Sequence, residues 1–414
     1  MNRVLLTGNS AAAWAARLAA ADYVPAFPIT PQTGIIESLA GWIESGSMPA
    51  RLVMFESEHS MLAAAGAAAA TGVRVFTATS SQGLLYAMEM LYATAGWRAP
   101  FVMVNVSRGV ASPVTLESDH NDILAARDSG FLQIHCATCQ EVLDAVLIAY
   151  CLAEDARVRL PVLVNQDGFL LSFTREPVAL PDAGAVARFL PAFDSMGIEF
   201  RASRPISQAV AVLGGSPYSY FRYQMQLALQ GAAGVYDEVA QAFASEFGRS
   251  YPQVEAYRCE DAEVVFFMTG AFSTRARAAV DRLREAGQRV GLVRPRLFRP
   301  FPAAQLRRLM SGRRAIAVLD QNISLGKGGV LATELASVLY GMPEAPLIAE
   351  FIGGLGGRDI APEEFYQMAK VALDAADSGI TPAPRMLYTE TEMREMRKLQ
   401  SIAIAERHEL RGAP

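Results

Sequence analysis

Two carboxylates and a histidine stand at the start of a helix made almost wholly of small residues. Glu56, Glu58 and His59 are followed by the segment SMLAAAGAAAATG, which runs to Gly72. Ser57 is placed to cap this helix, so Glu58 is its first residue, where the helix dipole favours an acid by about 0.3–1 kcal/mol. Capping alone could therefore explain Glu58. It does not explain the Ala/Gly helix, whose small side chains let another backbone or a flat ligand come close.

Three further segments carry polar residues suited to binding an anion. In FPITPQT, Thr30 precedes Pro31, which predicts a helix start with threonine as N-cap and free N–H groups behind it. The segment TATSSQG places Ser81 and Gln82 at the start of another helix. NVSRG contains Arg108, whose guanidinium suits a carboxylate because it offers two parallel hydrogen bonds. Taken singly, Thr30 and Arg108 also fit a plain helix cap and a surface ion pair.

Alternating strands and helices must position these residues. Five apolar runs in the first part of the chain predict buried strands, namely RLVMF, VRVFTAT, PFVMVNVS, GFLQIHC and LPVLVNQDGF. Helical segments lie between them, so the order predicts a doubly wound parallel sheet covered on both faces. Ligands bind such sheets at the carboxyl ends of the strands. The four polar segments all follow predicted strands, so we expect them to form one site.

The chain is predicted to have four parts. An α/β domain takes residues 1–180, and a turn-rich linker at 181–259 is expected to wrap over neighbouring surface, with one helix from Val235 to Phe247. A second α/β domain follows at 260–378, beginning with the apolar run AEVVFFMTG. Residues 379–414 are predicted to form a charged helical tail.

Composition argues against several classes of function. Hydrophobic residues make up 51% of the 414 residues, charged residues 19%, and the net charge is −5. A nucleic acid or an anionic membrane surface is therefore not expected as a partner. No apolar run approaches the roughly 18–20 residues that span a bilayer. The N-terminus resembles a strand and a helix rather than a signal peptide, so a cytoplasmic protein is expected. Cys136 and Cys139 lack the further soft ligands of a metal site, so no metal is expected on this chain.

The order of these motifs resembles a known family. FPITP, ESEHSMLAAAGAAAATG, TATSSQGL, NVSRG, SDHND–AARDSG and VNQDGF are similar to the α subunit, or pyrimidine-binding region, of 2-oxoacid:ferredoxin oxidoreductases. DAEVVFFMTG, GLVRPRLFRPFP and GLGGRDI resemble the second domain of that family. The resemblance implies a thiamine diphosphate-binding, pyrimidine-type α/β domain followed by a transketolase C-terminal-like α/β domain. It covers about residues 1–370, and the tail lies outside it.

The same resemblance implies a role for each site residue. Glu58 matches the catalytic glutamate that hydrogen-bonds N1′ of the aminopyrimidine and so promotes removal of the proton from C2 of the thiazolium. Thr30 and Arg108 match the residues that hold the carboxylate of the 2-oxoacid. The cofactor is also expected against Pro28, Ser81 and Gln82. The helix after Glu58 is then small because the cofactor and a partner subunit pack tightly there.

The implied enzyme has several subunits. This chain lacks the G-D-G…Asn motif that binds magnesium and diphosphate, so a β-type subunit is expected to hold both. The [4Fe-4S] clusters are expected on other subunits, among them γ-type and ferredoxin-like δ-type chains. The implied reaction is the oxidative decarboxylation of a 2-oxoacid to an acyl-CoA and carbon dioxide, with electrons passed to the clusters and on to ferredoxin or NAD.

The substrate is less well defined by the resemblance. Pyruvate is the default of the family. Gln32 and the loop VASPVTLESDHND look more like the phenylglyoxylate-oxidising branch, which passes electrons to NAD through a separate flavin subunit.

Two other functions remain open. A non-catalytic scaffold subunit would predict that Glu58, Thr30 and Arg108 point away from one another. A transketolase-type transferase component would need no electron carrier. It is disfavoured because no diphosphate-binding domain precedes the pyrimidine-type domain in this chain.

Overall fold

A computed structural model of the chain describes residues 2–194, 202–203 and 205–412. A short part of the predicted linker and the last two residues of the tail lie outside the described residues. The strands are β1 (Asn2–Thr7), β2 (Tyr23–Ala26), β3 (Arg51–Met54), β4 (Phe76–Thr79), β5 (Val102–Ser107), β6 (Leu132–His135), β7 (Val162–Asp167), β8 (Arg175–Leu180), β9 (Val254–Tyr257), β10 (Val264–Phe267), β11 (Val290–Pro295), β12 (Leu297–Arg299), β13 (Ala315–Asp320), β14 (Leu347–Ile352) and β15 (Arg385–Met386).

Helices lie between most of these strands. They are α1 (Gly8–Leu18), α2 (Thr33–Glu44), α3 (Glu58–Ala70), α4 (Ser81–Tyr86), α5 (Met88–Gly96), α6 (Asn121–Ala125), α7 (Cys139–Glu154), α8 (Ala183–Phe189), α9 (Gly215–Phe247), α10 (Phe272–Glu285), α11 (Ala303–Met310), α12 (Val330–Leu339), α13 (Pro362–Ser378) and α14 (Glu390–Gly412).

The first sheet has the order β12-β6-β7-β5-β4, and a parallel bridge from Tyr23 to Val75 adds β2 and β3 beside β4. Apart from β12, all its strands are parallel. Val104 packs with α1 and α7, whereas its neighbour Met103 packs with α3 and α5. Successive side chains of a strand face opposite sides, so helices cover both faces, and the prediction of a doubly wound parallel sheet is confirmed.

One predicted buried strand is not buried. In β3, Arg51 and Met54 are exposed and the two residues between them are half-buried. Since β3 pairs only with β2 among the described strands, it forms the edge of the sheet and keeps one side open. The prediction of burial was wrong here. It holds for β4, β5, β6 and β7, which are buried along their lengths.

The second sheet has the order β15-β14-β13-β10-β11-β9. Its central strands are parallel; α10 and α13 cover one face, and α11 and α12 cover the other. The antiparallel strand β9 already joins this sheet before residue 260. The predicted domain boundaries stay predictions. Strand β12 leaves the second unit and pairs antiparallel with β6 of the first sheet, so the two α/β units share a strand.

The segment between the two units is mostly one long helix. A helix was expected only from Val235, but α9 begins at Gly215 and covers 33 residues. The turn predicted at GGSPYSYFRYQ was wrong because Pro217 lies in the first helical turn. There a missing N–H leaves no intrahelical hydrogen bond unmade. The buried side of α9 packs on α7 and α5.

The predicted tail is also helical. Helix α14 is joined to the second unit by Arg358, which forms ion pairs with Glu392 of the tail and with Glu364 of α13. Within the described residues, no helix combines the length and the apolar character that crossing a bilayer requires.

Candidate active site

Four parallel strands bring the predicted site residues to one edge of the first sheet. Strands β3, β2, β4 and β5 lie side by side in this order. The segments that follow them contain, in the same order, Glu58, Thr30, Gln82 and Arg108. The expectation that these four segments meet at the carboxyl ends of their strands agrees with the structure.

Glu58 is a buried acid at the start of α3. Ser57 caps the helix as predicted, and its hydroxyl oxygen accepts a hydrogen bond from the Ser60 N–H at 3.2 Å. Glu58 is only 5% exposed, and none of the described side chains donates a hydrogen bond to its carboxyl. Burial raises the pKa of Glu58, although its own N–H and the charge of Arg108 act in the opposite direction. An ordinary helix-start acid stays in water, so capping alone does not account for this carboxyl.

Gly83 packs directly against the Glu58 carboxyl. A Cβ at this position would lie 2.4 Å from Glu58 Oε1 and 2.5 Å from Thr79 Oγ1. The Thr79 hydroxyl beside it is buried without a hydrogen-bond partner among the described residues, and so is the hydroxyl of the next residue, Ser80. Buried polar atoms in folded proteins are nearly always hydrogen-bonded. A partnerless hydroxyl next to a buried acid is therefore what a polar ligand would satisfy.

Arg108 joins the segments that follow β2 and β4. Its Nη1 donates to the Thr30 carbonyl at 2.6 Å, and its Nη2 donates to Gln82 Oε1. The side chain is largely buried, and its Nε has no partner among the described residues. Burial lowers the pKa of Arg108, while the charges of Asp122 and Glu58 raise it. Arg108 thus contacts Thr30, and its charge acts on Glu58, which weighs against a scaffold whose three residues point apart.

Thr30 does not open a helix. Helix α2 begins at Thr33, and Gln32 occupies the N-cap position. The Ile29 carbonyl accepts the Gln32 N–H at 3.0 Å, and Gln32 Nε2 donates to the Phe27 carbonyl at 2.7 Å. The segment is therefore a closed turn, and the N-cap prediction for Thr30 was wrong. Thr30 gives the site a carbonyl directed at Arg108 and an exposed side chain.

The other predicted cofactor contacts lie around the same edge. Ser81 is buried at the start of α4, and Gln82 is half-buried beside Arg108. Pro28 is exposed on the turn that also carries Thr30. Their contacts with a cofactor stay predictions.

A buried polar cluster behind Arg108 was not predicted. Asn105 Nδ2 donates to Asn165 Oδ1 at 2.9 Å and to Asp122 Oδ2 at 3.1 Å. The Ser107 hydroxyl lies 2.7 Å from Asn165 Oδ1 and 3.1 Å from Asp122 Oδ1. A signal was available, since Asn105, Ser107 and Asn165 interrupt otherwise apolar strands.

The junction of the two units holds a second unpredicted pair. His120 Nε2 lies 2.5 Å from Asp167 Oδ1, and Asp167 Oδ2 accepts the Ala271 N–H at 2.6 Å. Burial lowers the pKa of His120, but the charge and hydrogen bond of Asp167, together with the charges of Asp122 and Asp119, outweigh this effect, so the pKa is raised. This pair connects the end of β7 to the start of α10.

The fold and the site together define an α/β chain with a thiamine diphosphate-binding domain and a transketolase C-terminal-like domain. Residues 14–240 match the model for "pyruvate flavodoxin/ferredoxin oxidoreductase, thiamine diP-bdg", and residues 262–365 match that for "pyruvate:ferredoxin oxidoreductase core domain II". The chain belongs to the family of 2-oxoacid:ferredoxin oxidoreductase α subunits, as its motifs predicted.

Similar proteins include the pyruvate synthase subunit PorA of Methanothermobacter thermautotrophicus, 40% identical over 88% of this chain and 94% of that protein. PorA of Pyrococcus abyssi is 37% identical over 92% and 96% of the two chains. The ketoisovalerate oxidoreductase subunit VorA of Pyrococcus horikoshii is 40% identical over 91% and 95%.

Two solved structures resemble the fold. The 2-oxoglutarate:ferredoxin oxidoreductase of Magnetococcus marinus superposes with a TM-score of 0.71 at 20% identity, over 90% of this chain and 65% of that one. A split-gene transketolase, an inactive β4 tetramer, gives a TM-score of 0.53 at 12% identity, over 89% and 98% of the two chains.

Proposed function

We propose that this chain supplies the pyrimidine half of the active site in a multi-subunit enzyme. This enzyme decarboxylates a 2-oxoacid oxidatively to an acyl-CoA and carbon dioxide. One observation carries the proposal: the buried Glu58 carboxyl, which has no side-chain partner among the described residues, lies in the field of Arg108 at the carboxyl ends of parallel strands. The relatives named above are subunits of oxidoreductases that act on 2-oxoacids, which supports the same reaction.

The residues around Glu58 fit the pyrimidine end of thiamine diphosphate. Glu58 would hold a proton against N1′ of the ring, and the Thr79 hydroxyl, which has no partner among the described residues, would face its polar atoms. A side chain at position 83 would collide with the Glu58 carboxyl. The glycine therefore leaves this carboxyl in place to contact the pyrimidine ring. When bound, thiamine diphosphate supplies the carbon nucleophile for the keto group. A raised carboxyl pKa suits a residue that shares a proton near neutral pH.

Arg108 and Thr30 are proposed to hold the carboxylate of the 2-oxoacid. Arg108 Nε is buried and has no partner within the described chain, so it can donate to an incoming anion. The Thr30 hydroxyl is exposed on the adjacent turn. A carboxylate held here would orient the keto carbon toward the cofactor, and orientation can lower the barrier substantially.

The substrate is proposed to be a small aliphatic 2-oxoacid, pyruvate or 2-ketoisovalerate. The names of the PorA and VorA relatives support this choice. Phenylglyoxylate with NAD as acceptor is the other candidate, suggested by Gln32 and the loop after Arg108. However, Gln32 is fully buried and hydrogen-bonds the Phe27 carbonyl of its own turn, so its side chain holds the turn rather than a substrate.

The remaining components are proposed to lie on partner chains. A β-type subunit would bind magnesium and the diphosphate, and γ-type and ferredoxin-like δ-type subunits would carry the [4Fe-4S] clusters. Coenzyme A is the acyl acceptor, and ferredoxin is the proposed electron acceptor. A flavin subunit that reduces NAD would accompany the phenylglyoxylate alternative.

The test is to purify the chain with its co-purifying subunits and to measure viologen dye reduction. We expect reduction that requires thiamine diphosphate, coenzyme A and either pyruvate or 2-ketoisovalerate. Faster turnover with phenylglyoxylate would select that branch. Transfer of a two-carbon unit between sugars without any electron acceptor would instead identify a transketolase-type component and refute the proposal.

A further inference from the structure

We propose that Asp122 is a positioning residue, whose carboxylate fixes the backbones of Ser81 and Arg108 and thereby aims Arg108 at the substrate. This inference deepens the proposed function and rests on it. Asp122 itself is fully buried and lies behind Arg108 at the edge of the first sheet.

One carboxylate oxygen ties two strand ends together. Asp122 Oδ2 accepts the backbone N–H of Ser81 at 2.9 Å and that of Arg108 at 3.2 Å. It also accepts Asn105 Nδ2 at 3.1 Å. Ser81 follows β4 and Arg108 follows β5, so a single atom sets the spacing between the α4 turn and the arginine.

The α4 turn needs this support because of its conformation. Ser81 has a φ of +47°, in the left-handed region that residues with a side chain rarely occupy. Its hydroxyl donates to the Gly109 carbonyl at 2.8 Å, so the turn is held from both sides. The same turn contains Gln82, whose Oε1 accepts a hydrogen bond from Arg108 Nη2. It also contains Gly83, which lies against the Glu58 carboxyl. A shift of this turn would therefore move both the arginine and the wall beside Glu58.

The site around Asp122 is built for a carboxylate and not for an amide. Three N–H groups point at Oδ2, and the Ile123 N–H donates to Oδ1 at 2.7 Å. In Asp122→Asn the side-chain volume is kept, but the new NH₂ group faces an N–H donor in either orientation. This substitution should weaken the hydrogen bonds from the Ser81 and Arg108 N–H groups with little change in packing.

The first measurement is hydrogen exchange on the assembled complex, followed by mass spectrometry of peptides that cover Ser81 and Arg108. Asp122→Asn should speed exchange at both peptides. The matched control is Asp144→Asn, since Asp144 is an equally buried acid on α7 that hydrogen-bonds Arg249 and Tyr251. The control should leave exchange at the two peptides unchanged.

The second measurement is a double-mutant cycle with pyruvate as the probe, or 2-ketoisovalerate if that is the better substrate. Asp122→Asn alone should lower kcat/KM by about tenfold or more, since small misplacements of positioning groups have large effects. In an Arg108→Lys background it should lower kcat/KM by less than about threefold, because residues that act through one another are not additive. A merely structural loss would reduce both backgrounds equally.

Unchanged exchange at the two peptides, or additive effects in the cycle, would overturn the inference. A different outcome would refute the proposed carboxylate site alone. In that case Arg108→Lys would have the kcat/KM of wild type, while Asp122→Asn would still speed exchange, and the placement of Arg108 by Asp122 would stand. If Asp122→Asn fails to assemble, Ser107→Ala replaces it, because it removes one hydroxyl neighbour of Oδ1. A smaller change in the same direction is expected there, and none at all would also overturn the inference.

Discussion

Two groups of buried charged residues in this molecule differ in how completely they are paired. Between the two α/β units, Arg294 binds Glu141 at 2.6 Å and Glu255 at 2.5 Å, and Arg296 contacts both acids. Burial alone would raise the pKa of Glu141, but Arg294 and Arg296 lower it to about 2. At the site, Glu58 forms no ion pair with any residue that the structure describes, and burial raises its pKa.

The contrast separates structural charge from functional charge. A buried charge without a partner destabilises a fold, whereas a paired one is roughly neutral. In the junction cluster both acids, Glu141 and Glu255, are paired with Arg294 and Arg296 across the two units. Among the described residues no side chain pairs with the Glu58 carboxyl, which is why a polar ligand is proposed to bind beside it. Substitutions in the two regions should accordingly affect different measurements.

The largest effect is expected for Glu58→Gln. The complex should assemble normally, but turnover of the 2-oxoacid should fall by about 10²–10⁴-fold, the typical contribution of a group that moves a proton in the reaction. A neutral amide cannot hold the proton at N1′ as a carboxylate does. Steady-state kinetics with saturating thiamine diphosphate provides the measurement.

The matched control for this change is Glu56→Gln. Glu56 is exposed and accepts a hydrogen bond from the Ser60 hydroxyl, so its loss should be mild. Equal behaviour of the two variants would mean that Glu58 is only a helix-start residue.

Glu141→Gln should have the opposite profile. Removing one member of a buried ion pair leaves Arg294 without full compensation, so the free energy of unfolding should fall by about 3–5 kcal/mol. The kcat of the assembled complex should stay near wild type. Denaturant unfolding and kinetics on the same preparation test both statements, and a loss of kcat that exceeds the loss of folded protein would contradict them.

The same cluster predicts a pH dependence. The pKa of Glu141 lies at about 2 in the folded chain, compared with an ordinary value of 4.5. Its stabilisation is therefore complete above pH 4.5 and is lost as the pH falls from there toward 2. Glu141→Gln should lose this part of the acid sensitivity, so its unfolding free energy should change less than that of wild type over this interval.

Arg108→Lys should lower kcat/KM for the 2-oxoacid by about 10²-fold, because lysine keeps the charge but cannot bind the Thr30 carbonyl and Gln82 and also donate to the carboxylate. Affinity for thiamine diphosphate should hardly change, since the pyrimidine is proposed to rest on Glu58. Kinetics and cofactor titration on the assembled variant separate these effects. Unchanged kcat/KM would place the carboxylate site elsewhere.

Thr30→Val should have the smallest effect. It removes one hydroxyl from an exposed position, so a loss of about 1 kcal/mol in transition-state binding is expected. The Thr30 carbonyl, which accepts a hydrogen bond from Arg108 Nη1, is kept in this variant. A loss as large as that of Arg108→Lys would show that the turn itself had moved.

The sequence predicted those parts of the site that local rules govern. Ser57 as cap and Glu58 at the helix start follow from residue type and position. The meeting of four polar segments follows from the geometry of parallel sheets. Thr30 was misplaced because the contacts that close its turn, such as the Gln32 bond to Phe27, are not visible in a two-residue cap motif.

Asp122 was missed for a related reason. Its partners Ser81 and Arg108 lie 41 and 14 residues away along the chain, and they contribute backbone N–H groups that every residue has. No residue pattern marks such an acceptor. The first part of α9, before Val235, was missed because its aromatic residues and Pro217 resemble a turn, although α9 packs on α7 and α5 and is helical throughout.

Strand β12 has a consequence for how the chain is made. It completes the side of the first sheet at β6, yet it lies at Leu297–Arg299, far downstream of Leu132–His135. Synthesis proceeds from the N-terminus, so on the ribosome the edge of β6 stays unpaired until α9, β9, β10, α10 and β11 have been made. Exposed strand edges favour pairing with other chains. A nascent chain arrested before residue 297 should therefore aggregate more readily than the finished one.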